Sequence, residues 1–169
     1  MLNPRTHLLK LGERLLPLAA RTPFLLQRLA LERSLNQVLA EPLGEGAFEA
    51  LEGRWMRLEV ADLQLAWCLT CTRGRLRIAA RAPFEVCIRG NWREFLLLAS
   101  RQEDPDTLFF RRRLVIEGDT DLGLAIKNLI DSLDPDNLPV WLWRLIQGAG
   151  EEVAQAAGSA AAGRTQPAG

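Results

Sequence analysis

The sequence is short of the residues on which most enzyme active sites are built. It has one histidine, three cysteines and no tyrosine, and its formal net charge is zero. His7 is the single histidine, and no G-x-S-x-G motif is present, so the chain offers no nucleophile–base pair. A neutral chain also lacks the basic surplus that nucleic-acid binding requires. We therefore predict no catalytic residue, no cofactor and no nucleic-acid partner.

Long hydrophobic runs are also missing. No apolar stretch reaches the roughly 18 to 20 residues that are needed to cross a bilayer. Lys10, Glu13 and Arg14 interrupt the leucine-rich beginning of the chain, which argues against a secretory signal. An odd, small number of cysteines is typical of free thiols in a reducing compartment. The predicted location is the cytoplasm.

Two arrangements resemble metal sites only superficially. Cys68 and Cys71 form a C-x-x-C spacing, but it lies in a predicted strand, where residues i and i+3 point to opposite faces. Asp131, Asp134 and Asp136 lack the glycine and the closing glutamate of a calcium loop. We predict no metal site.

What the chain has is apolar periodicity. Hydrophobic residues alternate over 56–60, 63–72 and 75–80, with Arg73-Gly74 as a hairpin turn, which predicts an antiparallel meander. The 169 residues are enough for one domain with a substantial core. A sheet with one apolar face must be covered on that face by other elements.

The next fifty residues supply the cover. A fourth strand is predicted at Phe84, Val86 and Ile88, followed by a helix capped by Asn91. Asp104-Pro105-Asp106 predicts a turn. The fifth strand is predicted at Phe110, Leu114 and Ile116, and Gly118-Asp119-Thr120 ends it and caps another helix. The two helices carry apolar stripes on one side, namely Trp92, Phe95, Leu96 and Ala99 in the first and Leu122, Ile126, Leu129 and Leu133 in the second.

This order of elements, with Phe110 and the run Leu114-Val115-Ile116-Glu117-Gly118-Asp119, resembles the sterol carrier protein type-2 domain. The longer run LFFRRRLVIEGDTDLGLAIKNL is similar to the bacterial ubiquinone-biosynthesis accessory factors of that kind. The resemblance implies an α/β (α+β) fold. It consists of a five-stranded, largely antiparallel sheet with helices over one face enclosing an apolar tunnel, plus extra N- and C-terminal helices.

The resemblance also implies that the apolar stripes line the tunnel. The predicted lipid-binding residues are Leu65, Trp67, Leu69, Ile78, Val86, Ile88, Phe95, Leu96, Phe110, Arg112, Leu114, Ile116, Leu122, Ile126 and Leu129. Arg112 breaks the apolar face of the fifth strand, so it is a candidate polar handle for a ligand headgroup. Two alternatives remain for Arg112: its side chain extends outward to solvent, or a bulge reverses its side.

The terminal segments extend the minimal domain. We predict an N-terminal helical extension over 1–45, the lipid-binding domain over 46–134, a C-terminal amphipathic-helix segment over 135–155 and a disordered tail over 156–169. Within the segment 135–155, the helix itself is predicted to end at Gly148. The extension comprises a helix around 8–18 and another from Thr22-Pro23 to Ala40. Phe24, Leu25, Trp141 and Trp143 are candidate membrane contacts; packing on the domain is the alternative.

The function implied by the resemblance is a non-enzymatic accessory factor. It would hold an isoprenoid quinone or its precursors for the oxygen-independent route to ubiquinone. The implied partners are the iron–sulfur hydroxylase proteins UbiU and UbiV, other ubiquinone-synthesis enzymes and the inner face of the membrane. Two alternatives stay open: a general glycerophospholipid carrier, and a ligand-free assembly module that docks enzymes.

Overall fold

The computed structural model describes residues 21–134 and 138–162, without the side chains of Trp141 and 159–162. Its centre is one sheet with the strand order β3-β2-β1-β4-β5. The strands are β1 (Met56–Val60), β2 (Leu65–Thr72), β3 (Arg75–Ala79), β4 (Val86–Gly90) and β5 (Val115–Gly118). The β1–β4 pairing is parallel and the other three are antiparallel. The predicted five-stranded, largely antiparallel sheet is confirmed.

Six α-helices accompany the sheet in the described part of the chain. They are α1 (Phe24–Val38), α2 (Ala40–Gly44), α3 (Trp92–Ala99), α4 (Pro105–Phe110), α5 (Thr120–Ser132) and α6 (Val140–Ala162). Short 3-10 turns occupy Glu49–Leu51 and Ala61–Leu63. The helix predicted around 8–18 lies outside the described residues.

The register of the strands sorts side chains onto two faces. Leu58 pairs with Trp67 on one side and with Ile88 on the other, and this row belongs to the apolar face. Arg57 pairs in the same way with Cys68 and Cys87, on the opposite face. Cys71 lies three residues from Cys68 and therefore faces the other way, as predicted. All three cysteines are free.

The predicted start of the fifth strand is wrong. Asp104 is the N-cap of α4, its carboxylate accepting the Thr107 N–H at 2.9 Å, and Pro105 occupies the first helical position. The helix therefore includes Phe110, whose side chain is 91% exposed. Arg112 has a left-handed φ of 55° in the turn that follows. Neither Phe110 nor Arg112 lies on the inner face of the sheet, so their assignment to the tunnel wall is wrong.

The C-terminal helix is longer than predicted. α6 continues to Ala162, past the expected end at Gly148 and into the segment expected to be a disordered tail. The reason is composition: alanine dominates the second half of α6, and its helix propensity outweighs the three glycines of the whole helix. Residues 163–169 lie outside the described residues.

The junction between β5 and α5 depends on a glycine. Gly118 has a φ of +114°, and a Cβ there would collide with the backbone of Glu85. Asp119 donates its N–H to the Glu85 carbonyl (2.9 Å), and its side chain caps α5 through the Leu122 N–H (2.7 Å). The Arg54 guanidinium bridges the Glu85 and Asp119 carboxylates at 2.6 and 3.3 Å. This junction starts α5 in the direction that carries it over the apolar face.

We predict that Gly118→Ala lowers the free energy of unfolding by about 2–4 kcal/mol, since it adds both steric overlap and an unfavourable backbone conformation. Gly46→Ala is the matched control, because Gly46 also has a positive φ (+78°) but has nothing within 4 Å of its Cβ position. That change should cost only about 1 kcal/mol. Chemical denaturation of both variants checks this, and equal losses would contradict the close approach at Glu85.

Candidate functional site

Between the apolar face and the helices lies a cavity of about 530 Å³, partly open to solvent. Of the described residues that line it, all but Ser34, Arg101 and Asp134 are apolar. The sheet and the segment before it contribute Phe48, Leu51, Met56, Leu58, Leu69, Leu76 and Ile88. The central helices contribute Phe95, Leu98 and Ala99 from α3 and Ile126, Leu129 and Ile130 from α5, followed by Leu133. Protein interiors seldom leave a void of this size.

Both terminal segments form part of the cavity wall. Leu35 and Val38 of α1 line one side, continued by Leu39 and Pro42. Leu142, Trp143 and Ile146 of α6 line another, together with Leu138. The terminal helices are therefore components of the site. For Trp143, this position favours the packing alternative over membrane contact.

α1 is attached to the sheet by polar side chains. Among residues 21–134 and 138–162, β3 is an edge strand, so its outer backbone groups have no strand partner there. The Glu32 carboxylate accepts the N–H of Ile78 at 2.7 Å. The Asn36 side chain accepts the N–H of Leu76 and donates to its carbonyl, both at 2.9 Å. Two side chains of one helix thus satisfy three backbone groups of the edge strand.

α6 is attached to α3 by a close approach of the two helices. Ser100, directly after α3, is 1% exposed, and a Cβ on Gly150 would overlap its side chain. Val153, one turn further along α6, is also buried. The absence of a side chain at Gly150 therefore lets α6 lie close enough to close the cavity.

Charged groups at the cavity gather where α5 ends. Arg101 has a positive φ of 56° and donates from Nη2 to the carbonyls of Ile130 (3.1 Å), Asp131 (3.4 Å) and Leu133 (2.5 Å). Ile130 and Asp131 belong to the last turn of α5 and Leu133 is its C-cap, and a cation is favourable at this end of a helix. Arg101 and Asp134 place charge beside an otherwise apolar wall.

The predicted tunnel residues divide into distinct groups. Leu69, Ile88, Phe95, Ile126 and Leu129 line the cavity. Four others are buried in the surrounding core without lining it, namely Ile78, Val86, Leu114 and Leu122. Ile116 packs partly buried against that core, whereas Leu65, Trp67 and Leu96 are half-buried beside it.

The indole of Trp67 is committed to a contact away from the cavity. Its Nε1 donates to Gln27 Oε1 of α1 at 3.0 Å.

The contributions of α1, α2, Phe48 and Leu51 to the cavity wall were not predicted. The broad apolar arc of α1, with Leu35, Val38 and Leu39, was the available signal, but periodicity alone does not say what an arc covers.

The thiols of the three cysteines are buried in the sheet. Burial is the largest cause that raises the pKa of the Cys71 and Cys87 thiols, so both stay protonated near neutral pH. Among residues 21–134 and 138–162, no cluster of three or more His, Cys, Asp or Glu could hold a metal ion. The arrangement is suited to enclosing an apolar molecule.

Comparison with known proteins agrees with this geometry. The profile of the SCP-2 sterol transfer family matches residues 33–131, more than half of the chain. The chain belongs to the SCP-2 sterol transfer family. It is also similar to "Ubiquinone biosynthesis accessory factor UbiT" of Escherichia coli strains K12 and O157:H7, with 41% identity over 136 residues, 80% of this chain and 78% of the relative. The predicted resemblance is confirmed.

A solved structure supports the fold of this family member. "UbiJ-SCP2 Ubiquinone synthesis protein" superposes with a TM-score of 0.52, covering 64% of this chain and 97% of that chain at 20% identity. None of the described helices, α6 included, is long and apolar enough to cross a membrane.

Two glycines of α6 allow a matched test of the cavity wall. Gly148→Ala should stabilise the protein by about 0.5–1 kcal/mol, since alanine is the better helix former and nothing lies within 4 Å of the new Cβ. Gly150→Ala should instead destabilise it by about 1–3 kcal/mol, because its Cβ overlaps Ser100. Thermal unfolding of both variants checks this. A gain in stability from both would show that α6 does not approach α3 closely.

Proposed function

We propose that this protein is a non-enzymatic lipid-binding accessory factor that holds an isoprenoid quinone or its precursors. The observation that carries this proposal is the apolar cavity of about 530 Å³. Its size lies within the about 300–1,000 Å³ that is typical of small-molecule sites. Leu69 and Ile88 provide apolar surface from the sheet, and Leu129 provides it from α5.

The apolar side chains of the cavity wall favour a ligand with a long apolar tail. An apolar cavity excludes water and accepts apolar molecules. A prenyl or acyl tail gains about 0.8 kcal/mol for each CH₂ removed from water, so chain length supplies the affinity without specific polar contacts. The partly open cavity leaves a polar ring or headgroup near solvent, where a modifying enzyme could reach it.

Arg101 replaces Arg112 as the proposed polar handle. Arg112 lies outside the cavity, whereas Arg101 lines it. The hydrogen bonds from Arg101 to the carbonyls at the end of α5 all come from Nη2. A guanidinium has five N–H donors, so the bonds to α5 do not use all of them. The remaining donors suit a quinone carbonyl or a phosphate.

The similarity to UbiT favours a quinone over other lipids, since that relative is named as a ubiquinone biosynthesis accessory factor. On this basis we propose a role in the oxygen-independent route, in the cytoplasm, with UbiU and UbiV and other ubiquinone-synthesis enzymes as partners. A glycerophospholipid carrier is the second candidate, and the same apolar cavity supports it. An assembly module with a filled core fits the cavity less well.

Lipid extraction from the purified protein, followed by mass spectrometry, tests the ligand class. We expect a prenylated quinone or precursor in the parent protein. Leu129→Trp fills the cavity and should lower the bound lipid by about tenfold or more. Leu124→Trp is the matched control on the same helix, because Leu124 is 57% exposed and does not line the cavity; it should keep the lipid.

The unfolding temperature of both variants must accompany the extraction. If Leu129→Trp destabilises the fold, Ile126→Phe offers a smaller filling residue in the same wall. Recovery of phospholipid alone would favour the second candidate. Equal lipid in the parent and in both filled variants would contradict binding in this cavity.

We also propose that α1 gives the protein a peripheral contact with the inner membrane face. Leu25, Leu26 and Leu29 near its beginning are more than half exposed, and Phe24 is half-buried beside them. Amphipathic helices bind the bilayer interface through such residues. Deleting the helix would not be a clean test, since α1 forms part of the cavity wall.

Point substitutions separate the two roles of α1. Leu25→Ser with Leu29→Ser should weaken co-sedimentation with vesicles of anionic phospholipid while the cavity lipid is retained. Phe84→Ser is the control, because Phe84 is an exposed aromatic residue (44%) elsewhere on the surface. Unchanged sedimentation of the double variant would remove α1 from the membrane contact.

A further inference from the structure

The turn after α4 carries an exposed aromatic ring and two exposed cations that the proposed cavity does not use. Phe110 is 91% exposed, the highest value among the large exposed apolar side chains of the described residues. Arg111 and Arg112 follow it directly, and both are exposed. Within the described part of the chain, neither guanidinium forms an ion pair or a side-chain hydrogen bond. We call Phe110, Arg111 and Arg112 the knuckle.

Contacts on both sides of the knuckle along the chain fix its backbone. Backbone bonds of 3.0 Å run from the Arg111 N–H to the Thr107 carbonyl and from the Arg112 N–H to the Phe109 carbonyl. The next residue, Arg113, is paired with Glu103 at 2.5 Å and with Glu94 at 3.4 Å. The backbone conformation of the knuckle is therefore fixed without a bound partner.

The knuckle lies at a definite end of the sheet. It leads into β5, whose first residue, Val115, pairs with Arg89 near the end of β4. Gly90 ends β4, and a Cβ there would lie 3.3 Å from the Arg113 carbonyl oxygen. The knuckle therefore sits where β1 and β4 finish.

The beginning of α1 lies at the same end. Val60, the last residue of β1, pairs with Leu65, the first of β2. Trp67 is two residues further along β2, and it bonds to Gln27 in the first turn of α1. The beginning of α1, at the β3 edge, and the knuckle, at the β5 edge, thus lie toward the same end of the strands.

We propose that the knuckle is a docking site for an anionic phospholipid bilayer. The two arginines suit phosphate groups, and Phe110 suits the boundary between headgroups and acyl chains. A protein partner typically covers about 800 Å² on each side, with pockets for its anchor residues. A single protruding ring flanked by cations fits a fluid interface, which needs no complementary pocket. This site extends the membrane contact proposed for α1 and is independent of the cavity ligand.

Vesicle co-sedimentation of the full chain tests the site, with equimolar phosphatidylcholine and phosphatidylglycerol compared with phosphatidylcholine alone. Phe110→Ser should weaken binding to the anionic vesicles by roughly tenfold. Arg111→Gln with Arg112→Asn should weaken it by roughly thirtyfold, at about fivefold for each cation, and should flatten the salt dependence. Asparagine is chosen at 112 because it tolerates the left-handed backbone.

Matched controls lie at the opposite end of the sheet. Arg73 and Arg75 flank the β2–β3 hairpin and are also exposed, and Phe84 precedes β4. Arg73→Asn with Arg75→Gln, and Phe84→Ser, should leave binding within about twofold of the parent. Asparagine is used at 73 because Arg73 also has a left-handed φ, of 52°. If these controls weaken binding as much as the knuckle variants do, the attraction is diffuse and the proposal is wrong.

Three outcomes overturn the site. Parent protein that does not bind anionic vesicles, or knuckle variants that bind as the parent does, would contradict it directly. Knuckle variants that bind vesicles normally but lose an acidic protein partner would assign the surface to protein recognition. The cavity lipid, measured in the same preparations, should be unchanged in the knuckle variants, so failure of this site and failure of the proposed carrier function remain distinguishable.

Discussion

The hydrogen bonds from α1 to the edge of β3 are the interaction on which the rest of the site depends. Glu32 and Asn36 satisfy backbone groups of Ile78 and Leu76 that no strand covers. Because these contacts lie at the rim of the sheet, α1 stays in place without filling the space beneath it. A helix held only by apolar packing would gain free energy by collapsing into the cavity.

The cavity walls formed by α5 and α6 are likewise held by contacts that do not fill the cavity. Arg101 fixes the end of α5 through main-chain carbonyls, and Gly150 lets α6 lie against Ser100. α1, α5 and α6 are thus each anchored by polar or close-packed contacts, and not by apolar side chains that fill the cavity. The apolar surfaces that face inward are thus left for a ligand. Under the proposed function, walls whose stability does not depend on the ligand would let a lipid bind and leave.

Much of this fold was predictable from the sequence, because strand periodicity and capping residues act locally. Gly118-Asp119 marked both the end of β5 and the start of α5. Phe110 and Arg112 were misplaced because their spacing fits a strand, while the Asp104 cap and Pro105 favour a helix that overrides it. The terminal walls of the cavity could not be predicted, since an apolar arc does not reveal which surface it meets.

The neutral total charge conceals how the charges are arranged. Arg54, Arg89 and Arg113 are each held by a nearby carboxylate, which satisfies them within the domain. Within the part of the chain that the structure describes, Arg111 and Arg112 have no such partner, and they follow Phe110, whose ring is exposed. Local potential, rather than net charge, decides what a surface attracts at distances within a Debye length of about 8–10 Å. A protein with no net charge can therefore still carry a local cationic patch, such as Arg111 and Arg112, that attracts an anionic surface.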